Sequence, residues 1–361
     1  MASNTIGSIF KVSSFGESHG KGVGVLLDGV PAGILVNESI ISHALRRRRP
    51  GQSAITTERT ETEEFQILSG VFESKTLGSP ICIWIPNTDQ KSADYDNLKN
   101  IYRPGHADFT HDAKYGFRDH RGGGRSSARI TAGWVAAGAL AEIALKQLYP
   151  NINIVAWVKQ IHAITSNPSI IPNNRNQVDI NIVRCPDAQA AALMESAILT
   201  AKNEGDSLGG VICCNIENLP VGLGEPVFDK LSARLAQAIM SINAVKGFNM
   251  GNNPTELKGS EMNDAFISKN GETATISNHS AGIQGGISNG MPIYFDVIFK
   301  PTSTIRKIQK TVDKDGNDTV LSAEGRHDPC VLPRAVPIVE AMVALTLLDM
   351  VLLNRVSRIN L

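Results

Sequence analysis

The sequence predicts an α+β protein with antiparallel sheets and a layered core. Predicted strands and helices follow one another without the regular alternation that a doubly wound parallel sheet requires. The run ARITAGWVAAGALAEIALKQL is long and rich in Ala and Gly, which indicates close packing on both of its sides. A strand-rich segment followed by a long helix occurs twice, which favours a duplicated architecture. Length alone allows two domains or one domain with two halves.

The first half of the chain contains the predicted strands of one sheet. SIFKVSSF and VGVLLDGVP are typical of two strands joined by a Gly-rich turn, and FQILSGVF and SPICIWIPN of two more. A short helix is predicted over residues 40–49, where Pro50 and Gly51 stop it. Residues 87–101 and 103–129 are predicted to be loops. Ser126 or Ser127 is expected to cap the long helix that follows.

The second half repeats this pattern with different spacing. DAQAAALMESAILTAKNEG and FDKLSARLAQAIMSI predict amphipathic helices, and GGVICCNIENLP and MPIYFDVIFKP predict strands. Residues 307–324 predict a flap or hairpin. The apolar run over residues 335–353 is nearly long enough to span a membrane, but Glu340 and Asp349 lie within it. We therefore expect a final buried helix that follows Pro333 and Pro337.

Composition indicates a globular protein of the cytoplasm, or of an organelle stroma after loss of a transit peptide. Apolar residues make up 42% of the 361 residues, charged residues 19%, and the formal net charge is +0. This balance argues against a general nucleic-acid or membrane-binding surface. The five cysteines include no C-x-x-C pair, so they are expected to be small hydrophobic residues in a reducing compartment. We expect no signal peptide and no metal site, because the histidines lack ligand spacing.

The segment Gly16-Glu17-Ser18-His19-Gly20 matches the G-x-S-x-G pattern of a serine hydrolase. A nucleophile elbow needs a helix directly after the serine, whereas GKGVGVLLDGV is typical of a strand. We therefore interpret the segment as a turn between strands. His19 is then the candidate functional residue, and Ser18 is its hydrogen-bonding neighbour in a pocket.

Residues 103–131 form the most informative segment. They hold five arginines, three histidines and a run of three glycines that leads through Ser126 and Ser127 into an apolar helix. Consecutive glycines allow close backbone approach to a ligand, and the positive end of a helix favours an anion. Four further segments offer cations or flexible backbone: residues 46–49, KPTST, GRHDPC and NHSAGIQGGISNG. If these loops converge, the ligands are small polyanions, more than one in a site.

These blocks resemble the chorismate synthase family along essentially the whole chain. The matching segments are FGESHGKGVGVLLDGVPAG, RRRPGQ, RPGHADFTHDAKYGFRDHRGGGRSSAR, EGDSLGG, GLGEPVFDKLSARLAQAIMSINAVKG, NHSAGIQGGISNGMPI, KPTST and GRHDPCVLPRAVPIVEAM. The resemblance implies a single domain over residues 1–361, a β-α-β sandwich with central helices between antiparallel sheets. It also implies pseudo-twofold halves that meet near residues 150–205, and a homotetramer.

The resemblance also implies an activity, the last step of the shikimate pathway and of chorismate formation for aromatic amino acid biosynthesis. In that lyase reaction phosphate leaves 5-enolpyruvylshikimate 3-phosphate by trans-1,4-elimination. The family is a flavoprotein family that is associated with FMN, FAD and NADP. Its reaction needs reduced FMN but has no net redox change. NADPH serves only indirectly, and an external flavin reductase is the expected partner.

Site residues are carried over by position. His19 is implied as an acid for the departing phosphate, His106 as the residue that protonates the reduced flavin, and Asp328 as an aid to proton removal. Flavin contacts are implied for Arg125, Ser126, Ser127, Asn243, Ala244, Gly285, Lys300, Pro301, Thr302, Ser303, Thr304 and Arg326. Substrate contacts are implied for Arg48, Arg129, Arg334 and Ser18.

Three positions depart from the family pattern. Many members carry a basic residue at Ala54, which bears on whether Arg48 binds NADPH or substrate. His111 and His120 stand where aromatic or other polar residues are common, so both are interpreted as peripheral. Two other functions stay open at this point: an ordinary flavin oxidoreductase, and a non-catalytic protein that binds phosphorylated metabolites.

Overall fold

Helices separate two five-stranded antiparallel sheets in the computed structural model, which describes residues 4–57, 61–88, 98–251, 255, 257–269, 271–322 and 327–357. Elements are numbered in chain order. The strands of the first sheet are β1 (Thr5–Ile6), β2 (Lys11–Gly16), β3 (Gly22–Asp28), β4 (Gln66–Ile67) and β7 (Ile81–Pro86). Their order is β1-β2-β3-β7-β4, and every neighbouring pair is antiparallel.

The second sheet is built from the other half of the chain. Its strands are β8 (Asn153–Ile161), β9 (Ile164–Thr165), β10 (Gly210–Glu217), β11 (Val245–Met250) and β16 (Ile293–Phe299). They lie in the order β11-β16-β10-β8-β9. Alternate side chains enter the core, as Ile212, Cys214 and Ile216 do on β10, because successive residues of a strand point to opposite faces.

The helices differ in length and burial. They are α1 (Glu38–Arg48), α2 (Asp108–Tyr115), α3 (Thr131–Leu148), α4 (Arg175–Val178), α5 (Ala188–Asn203), α6 (Leu231–Met240), α7 (Gly259–Met262) and α8 (Leu332–Asn354). Among these, α3 packs on β3 and β7, α8 packs on β8 and β10, and the two helices pack against each other. The layers therefore run sheet, α3, α8, sheet.

Short two-stranded ladders project from this core. They are β5 (Val71–Phe72) with β6 (Lys75–Thr76), β12 (Phe266–Lys269) with β13 (Glu272–Thr275), β14 (Ile283–Gln284) with β15 (Ile287–Ser288), and β17 (Gln309–Val312) with β18 (Asp318–Leu321). The last pair is the hairpin predicted within residues 307–324.

A glycine sets the distance between the two central helices. A Cβ built on Gly138 of α3 would lie only 2.4 Å from Cβ of Ala341 on α8. Carbon atoms at that separation repel strongly, so only a residue without a side chain fits at this crossing. The Ala/Gly-rich composition of α3 is thus explained by close approach to its neighbour.

Polar groups on α8 hold other segments to the core. Asp349 accepts hydrogen bonds from the backbone N–H groups of Ser8, Ile9 and Phe10 at 2.8–2.9 Å. Glu340 is 3% exposed and pairs with Arg47. Both carboxylates lie in the run that is apolar enough to cross a membrane, yet the best window of α8 is 94% buried inside the protein. The expectation of a buried core helix is confirmed for these residues.

Most predicted elements are confirmed, with three corrections. The segment over residues 103–129 is not wholly a loop, because it contains α2. Neither Ser126 nor Ser127 caps α3 directly: two 3₁₀ turns, Gly124–Ser126 and Ala128–Ile130, precede it, and Ser127 caps the second. The final helix begins at Leu332, so Pro333 and Pro337 lie inside its first two turns rather than before it.

The chain order of the two sheets agrees with the expected halves, since each sheet is followed by a long buried helix. Residues 5–86 supply the first sheet and residues 153–299 the second. The pseudo-twofold equivalence and its boundary near residues 150–205 stay a prediction.

We predict that Gly138→Ala destabilises the protein by about 1–3 kcal/mol, because the added methyl group overpacks the α3–α8 crossing. This loss is expected in spite of the roughly 1 kcal/mol that alanine gains over glycine in a helix. Thermal and urea unfolding would measure the change.

Gly259→Ala is the matched control, since this glycine also lies in a helix but has no atom within 4 Å of its built Cβ. It should be neutral or slightly stabilising. Equal stability of the two variants would contradict the proposed steric role of Gly138.

Candidate active site

The turn between β2 and β3 buries Ser18 and His19. Ser18 is 1% exposed and His19 6%, and Ser18 Oγ lies 3.0 Å from Nδ1 of His19. The described residues 11–28 lead from this turn into a strand and not into a helix. The geometry of a nucleophile elbow is therefore not met. Ser18 is thus within hydrogen-bonding distance of His19, and its place in a ligand pocket stays a prediction.

One of the consecutive glycines packs directly on His19. Gly122 has a φ of +74°, and a Cβ built on it would lie 2.3 Å from Nδ1 of His19 and 3.1 Å from Oγ of Ser18. No atom lies within 4 Å of the corresponding position on Gly124. The sequence predicted close approach of this backbone to a ligand. At Gly122 the close approach is to a candidate catalytic side chain.

A buried carboxylate orients His106. Asp108 Oδ1 lies 3.2 Å from His106 Nδ1, and Arg103 donates to both oxygens of Asp108 at 2.7 Å. The same guanidinium donates from Nη2 to the carbonyl oxygen of Gly122 at 3.1 Å. Arg103 therefore connects the carboxylate behind His106 with the backbone that packs on His19. Asp108 and Arg103 were absent from the predicted site residues, although both lie in the RPGHAD segment.

The protonation of these groups follows from their surroundings. Burial lowers the pKa of His106, and the hydrogen bond to Asp108 opposes that effect. Burial also disfavours the charged form of Asp108, but hydrogen bonds from Arg103 and His106 outweigh it and hold its pKa well below the ordinary value. Asp108 is therefore an ionised carboxylate. It can accept a hydrogen bond from Nδ1–H of His106, which leaves Nε2 of that ring for a ligand.

The KPTST loop docks on the turn that carries His106. Lys300 Nζ donates to the carbonyl oxygen of Gly105 at 2.8 Å, and Ser303 Oγ donates to the same oxygen at 2.7 Å. The backbone N–H of Lys300 donates to the carbonyl of Ala244 at 3.0 Å. Farther along the loop, the Thr302 carbonyl, next to Pro301, accepts from Ser207 Oγ at 2.7 Å.

The Asn243–Ala244 turn joins the same region from the other sheet. Asn243 Nδ2 donates to the carbonyl oxygen of Ser126 at 2.8 Å. Ala244 has a φ of +68°, which is strained for a residue with a side chain. Predicted flavin contacts from three distant segments, residues 125–127, 243–244 and 300–304, are therefore brought together beside His106.

A cavity of about 480 Å³ opens beside His106. His111 lies in its wall, with Nε2 2.9 Å from Oγ of Ser126. α2 places this side chain in the cavity wall, and the interpretation of His111 as peripheral to the chemistry stays a prediction. The cavity is lined by Asn4, Ser14, Phe15, Gly16, Glu17, His106, Ala107, Asp108, His111, Tyr115, Phe117, Arg118, Asp119, Gly122, Gly123, Gly124 and Arg125. His120 lines a neighbouring cleft.

Two predicted substrate arginines share one buried carboxylate. Glu63 Oε1 accepts from Arg48 Nη1 at 2.7 Å and from Arg129 Nη1 at 2.9 Å. Arg129 also donates to Asn87 Oδ1 and to the carbonyl of Pro86. Glu63 has a φ of +55°, an uncommon value for this residue type. No spacing in the sequence pointed to Glu63, since it pairs with residues 15 and 66 positions away.

Asp328 pairs with one arginine of this group and is the chain neighbour of His327. It pairs with Arg334, whose Nε donates to the carbonyl of Arg48 at 3.3 Å, and it accepts from the backbone N–H of Thr57 at 2.9 Å. Next to it, burial and the positive charge of Arg103 lower the pKa of His327 to about 4. His327 is therefore a neutral imidazole within electrostatic range of Arg103, and it was not predicted as a site residue.

Several predicted contacts stand apart from this cluster. Gly285 lies in the β14–β15 turn, next to Gly286, whose carbonyl accepts from the N–H of Leu231 at the start of α6. Asn243 follows the other end of that helix, about 15 Å away for ten residues. The structure therefore does not bring Gly285 to the cluster within one chain. Arg326 lies outside the described residues.

Arg125 and two neighbours have internal roles. The Arg125 guanidinium donates to the carbonyls of Gly16 and Ser14 at 2.9–3.0 Å, which ties the glycine run to the end of β2. Ser127 Oγ accepts from the N–H of Arg129 at 3.2 Å. Thr304 is 8% exposed.

Buried polar atoms indicate where a polar ligand fits. Among the described residues, seven buried side-chain atoms lack a hydrogen-bond partner, and two of them, Asn243 Oδ1 and Thr302 Oγ1, belong to predicted flavin contacts. Buried polar groups are normally satisfied, so each such atom needs an explanation. The cavity beside His106 carries the flat rings of Phe15, Tyr115 and Phe117. These residues suit a ring system that bears hydrogen-bonding groups. In the part of the chain described, no cluster of His, Cys, Asp or Glu is placed to hold a metal ion.

Comparisons with known proteins agree over nearly the whole chain. A sequence model of the family described as chorismate synthase matches residues 10–352. The chain is 52% identical over 358 residues to chorismate synthase of Bacteroides fragilis (strain YCH46), covering 99% of each sequence. It is 54% identical over 357 residues to the enzyme of Prochlorococcus marinus (strain MIT 9215), covering 98% of each. A crystal structure of chorismate synthase superposes with a TM-score of 0.75 at 31% identity, covering 96% of this chain and 93% of that one.

We predict that Gly122→Ala displaces the His19 imidazole, because the new methyl group would occupy its position. The ¹H–¹⁵N signals of the His19 ring, assigned by comparison with His19→Gln, should shift or broaden in this variant.

Gly124→Ala pays a similar backbone penalty of about 1–2 kcal/mol, since its φ is also positive, but it meets no side chain. Its His19 signals should match those of the wild type. Unchanged His19 signals in Gly122→Ala would refute the steric argument.

Proposed function

The chain belongs to the chorismate synthase family, and we propose that the cluster around His106 and the arginine group around Glu63 bind reduced FMN and 5-enolpyruvylshikimate 3-phosphate side by side. The protein is a lyase of aromatic amino acid biosynthesis that forms chorismate in the last step of the shikimate pathway. The assignment of individual residues to the two ligands is the proposal.

The observation that carries this proposal is the meeting of three distant loops beside one histidine. Lys300 and Ser303 contact the His106 turn, and Asn243 contacts Ser126. The unpaired buried atoms Asn243 Oδ1 and Thr302 Oγ1 lie in these same loops. Ser126, Ser127, Ala244 and residues 300–304 would hold the flavin. When bound, reduced FMN supplies electrons that the elimination uses transiently, with no net redox change.

The arginine group is suited to the departing phosphate. Arg48, Arg129 and Arg334 are each held by carbonyl or carboxylate partners, so their positive charges are fixed before the substrate arrives. Fixed charge stabilises an oxyanion at the moment it develops, without reorganisation. His19 would donate a proton to the leaving phosphate, Asp328 would assist removal of the substrate proton, and Ser18 would help to hold the substrate.

His106 would act as a proton donor toward the flavin. Its Nδ1 is taken by Asp108, which leaves Nε2 as the exchangeable position. The carboxylate favours the protonated ring, whereas burial opposes it. This opposition suits an acid that must both hold and release a proton near neutral pH.

Assembly and location extend the same proposal. We expect a homotetramer in the cytoplasm, supplied with reduced flavin by a separate reductase, with NADPH consumed only there. Within this proposal Arg48, which pairs with Glu63, is assigned to the substrate rather than to NADPH. A flavin oxidoreductase and a non-catalytic binding protein are the alternatives that the assay below separates.

We predict stoichiometric phosphate release and chorismate absorbance from 5-enolpyruvylshikimate 3-phosphate under anaerobic conditions with chemically reduced FMN. No net flavin oxidation should accompany turnover. Net electron transfer to the substrate would favour the oxidoreductase, and tight binding without turnover would favour the binding protein. Turnover in air with NADPH and FMN alone would show that no separate reductase is needed.

We predict that His19→Ala and His106→Ala each lower kcat by about 10²–10⁴, the usual contribution of a general acid, while the thermal unfolding temperature is retained. Wild-type kcat in either variant between about pH 6 and 9 would remove that residue from the mechanism.

We predict that Asp108→Asn lowers the pKa of His106, because it removes the carboxylate that favours the imidazolium while burial and Arg103 remain. Activity that requires protonated His106 is present below this pKa and is lost as the pH rises through it. The falling limb of kcat/KM should therefore move to lower pH by about one unit.

Asp112→Asn is the control for that shift, because Asp112 lies on the same helix and pairs with Arg118 at 3.0 Å without contacting His106. Circular dichroism would verify folding, since loss of Asp108 leaves Arg103 buried without its partner. A limb that stays in place in folded Asp108→Asn would exclude the orienting role.

A further inference from the structure

His111 and Ser126 form a pair that the family comparison did not assign. His111 lies on α2, and its Nε2 is 2.9 Å from Oγ of Ser126. The ring of Tyr115 packs against it edge-on, with centroids 5.7 Å apart and an interplanar angle of 83°. Two contacts therefore fix the plane and direction of the imidazole.

The backbone of Ser126 is held independently of His111. Its N–H donates to the carbonyl of Gly123 at 2.8 Å, and its carbonyl accepts from Nδ2 of Asn243 at 2.8 Å. At Ser126, the direction of the hydroxyl proton can still change. His111 is the described side chain that contacts this hydroxyl, so it decides where the proton points.

A hydroxyl carries one proton, which gives this contact two states. If Nε2 of His111 is unprotonated, it accepts the proton of Ser126, and the serine oxygen can offer a ligand only lone pairs. If Nε2 carries a proton, it donates to the serine oxygen, and the serine proton is free to bind an anion. A hydrogen on Nε2 of His111, in the neutral Nε2–H tautomer or in the charged ring, thus changes Ser126 from an acceptor into a donor.

We propose that His111 is a positioning residue for the flavin, which directs the Ser126 hydroxyl proton toward an acceptor oxygen of FMN when Nε2 carries a proton. The inference rests on the proposed function, because Ser126 is there a flavin contact. The acceptor oxygen belongs either to the phosphate or to the ring system of FMN. Affinity for FMN should therefore fall when the Nε2 hydrogen bond of His111 is removed.

The test measures FMN binding by fluorescence quenching for the wild type, His111→Phe and His111→Gln at one fixed pH. His111→Phe keeps a flat ring against Tyr115 but removes the hydrogen bond. It should weaken binding about tenfold. His111→Gln restores an N–H donor, so it should keep the affinity of the wild type.

Ser126→Ala and the double variant with His111→Phe show whether His111 acts through Ser126. The double variant should bind FMN no more weakly than Ser126→Ala alone. A further tenfold loss in the double variant would overturn the proposal, as would equal affinity of His111→Phe and the wild type. Riboflavin, which lacks the phosphate, should lose the His111 effect if the acceptor is a phosphate oxygen and keep it if the acceptor is on the ring.

The outcome separates this inference from the proposed function. If the wild type fails to bind FMN, the flavin assignment of the site and the inference both fall. If the wild type binds FMN and the His111 variants bind it equally well, only the inference falls. Thermal unfolding of each variant shows whether an affinity change reflects loss of folded protein.

Discussion

The buried ion pair between Arg103 and Asp108 is the interaction on which the active site depends. Both side chains are about 4% exposed, and two hydrogen bonds of 2.7 Å join them. The carboxylate orients His106, while the guanidinium reaches the backbone of Gly122, which packs on His19. Removal of Asp108 would leave the charge of Arg103 buried without its carboxylate partner. One pair therefore sets the geometry of both candidate catalytic histidines.

The site is made of loops, and the precision of those loops comes from the scaffold beneath them. Central helices in van der Waals contact leave little freedom for the sheets to move. Loops anchored at the ends of such elements can hold functional groups in fixed positions. Arg47 and Glu340 lock α1 to α8 in the same region, so the arginines that follow Arg47 start from a fixed helix end. The rigid layers therefore hold the charged side chains in a fixed arrangement.

The sequence identified the types of residue in the site better than the contacts between them. The segments around His106 and residues 300–304 were found because Gly, His, Arg and Lys are typical of anion binding, whereas the roles of His19 and His106 came from the family resemblance. Glu63 was missed because its partners are distant in sequence. The contact of His111 with Ser126 was missed because α2 was not predicted, and without that helix the direction of the His111 side chain is undefined. Gly285 was grouped with contacts that lie at the other end of α6.

The sequence by itself determined the fold class, the buried character of the last helix and the chemical types of residue available for two anionic ligands. These follow from periodicity, composition and local turn chemistry, which act over a few neighbouring residues. Only the tertiary structure decided which of those residues meet. That depends on how the sheets and α3 and α8 pack, because contacts such as that of Arg103 with Gly122 or Asn243 with Ser126 join segments whose separation along the chain carries no signal.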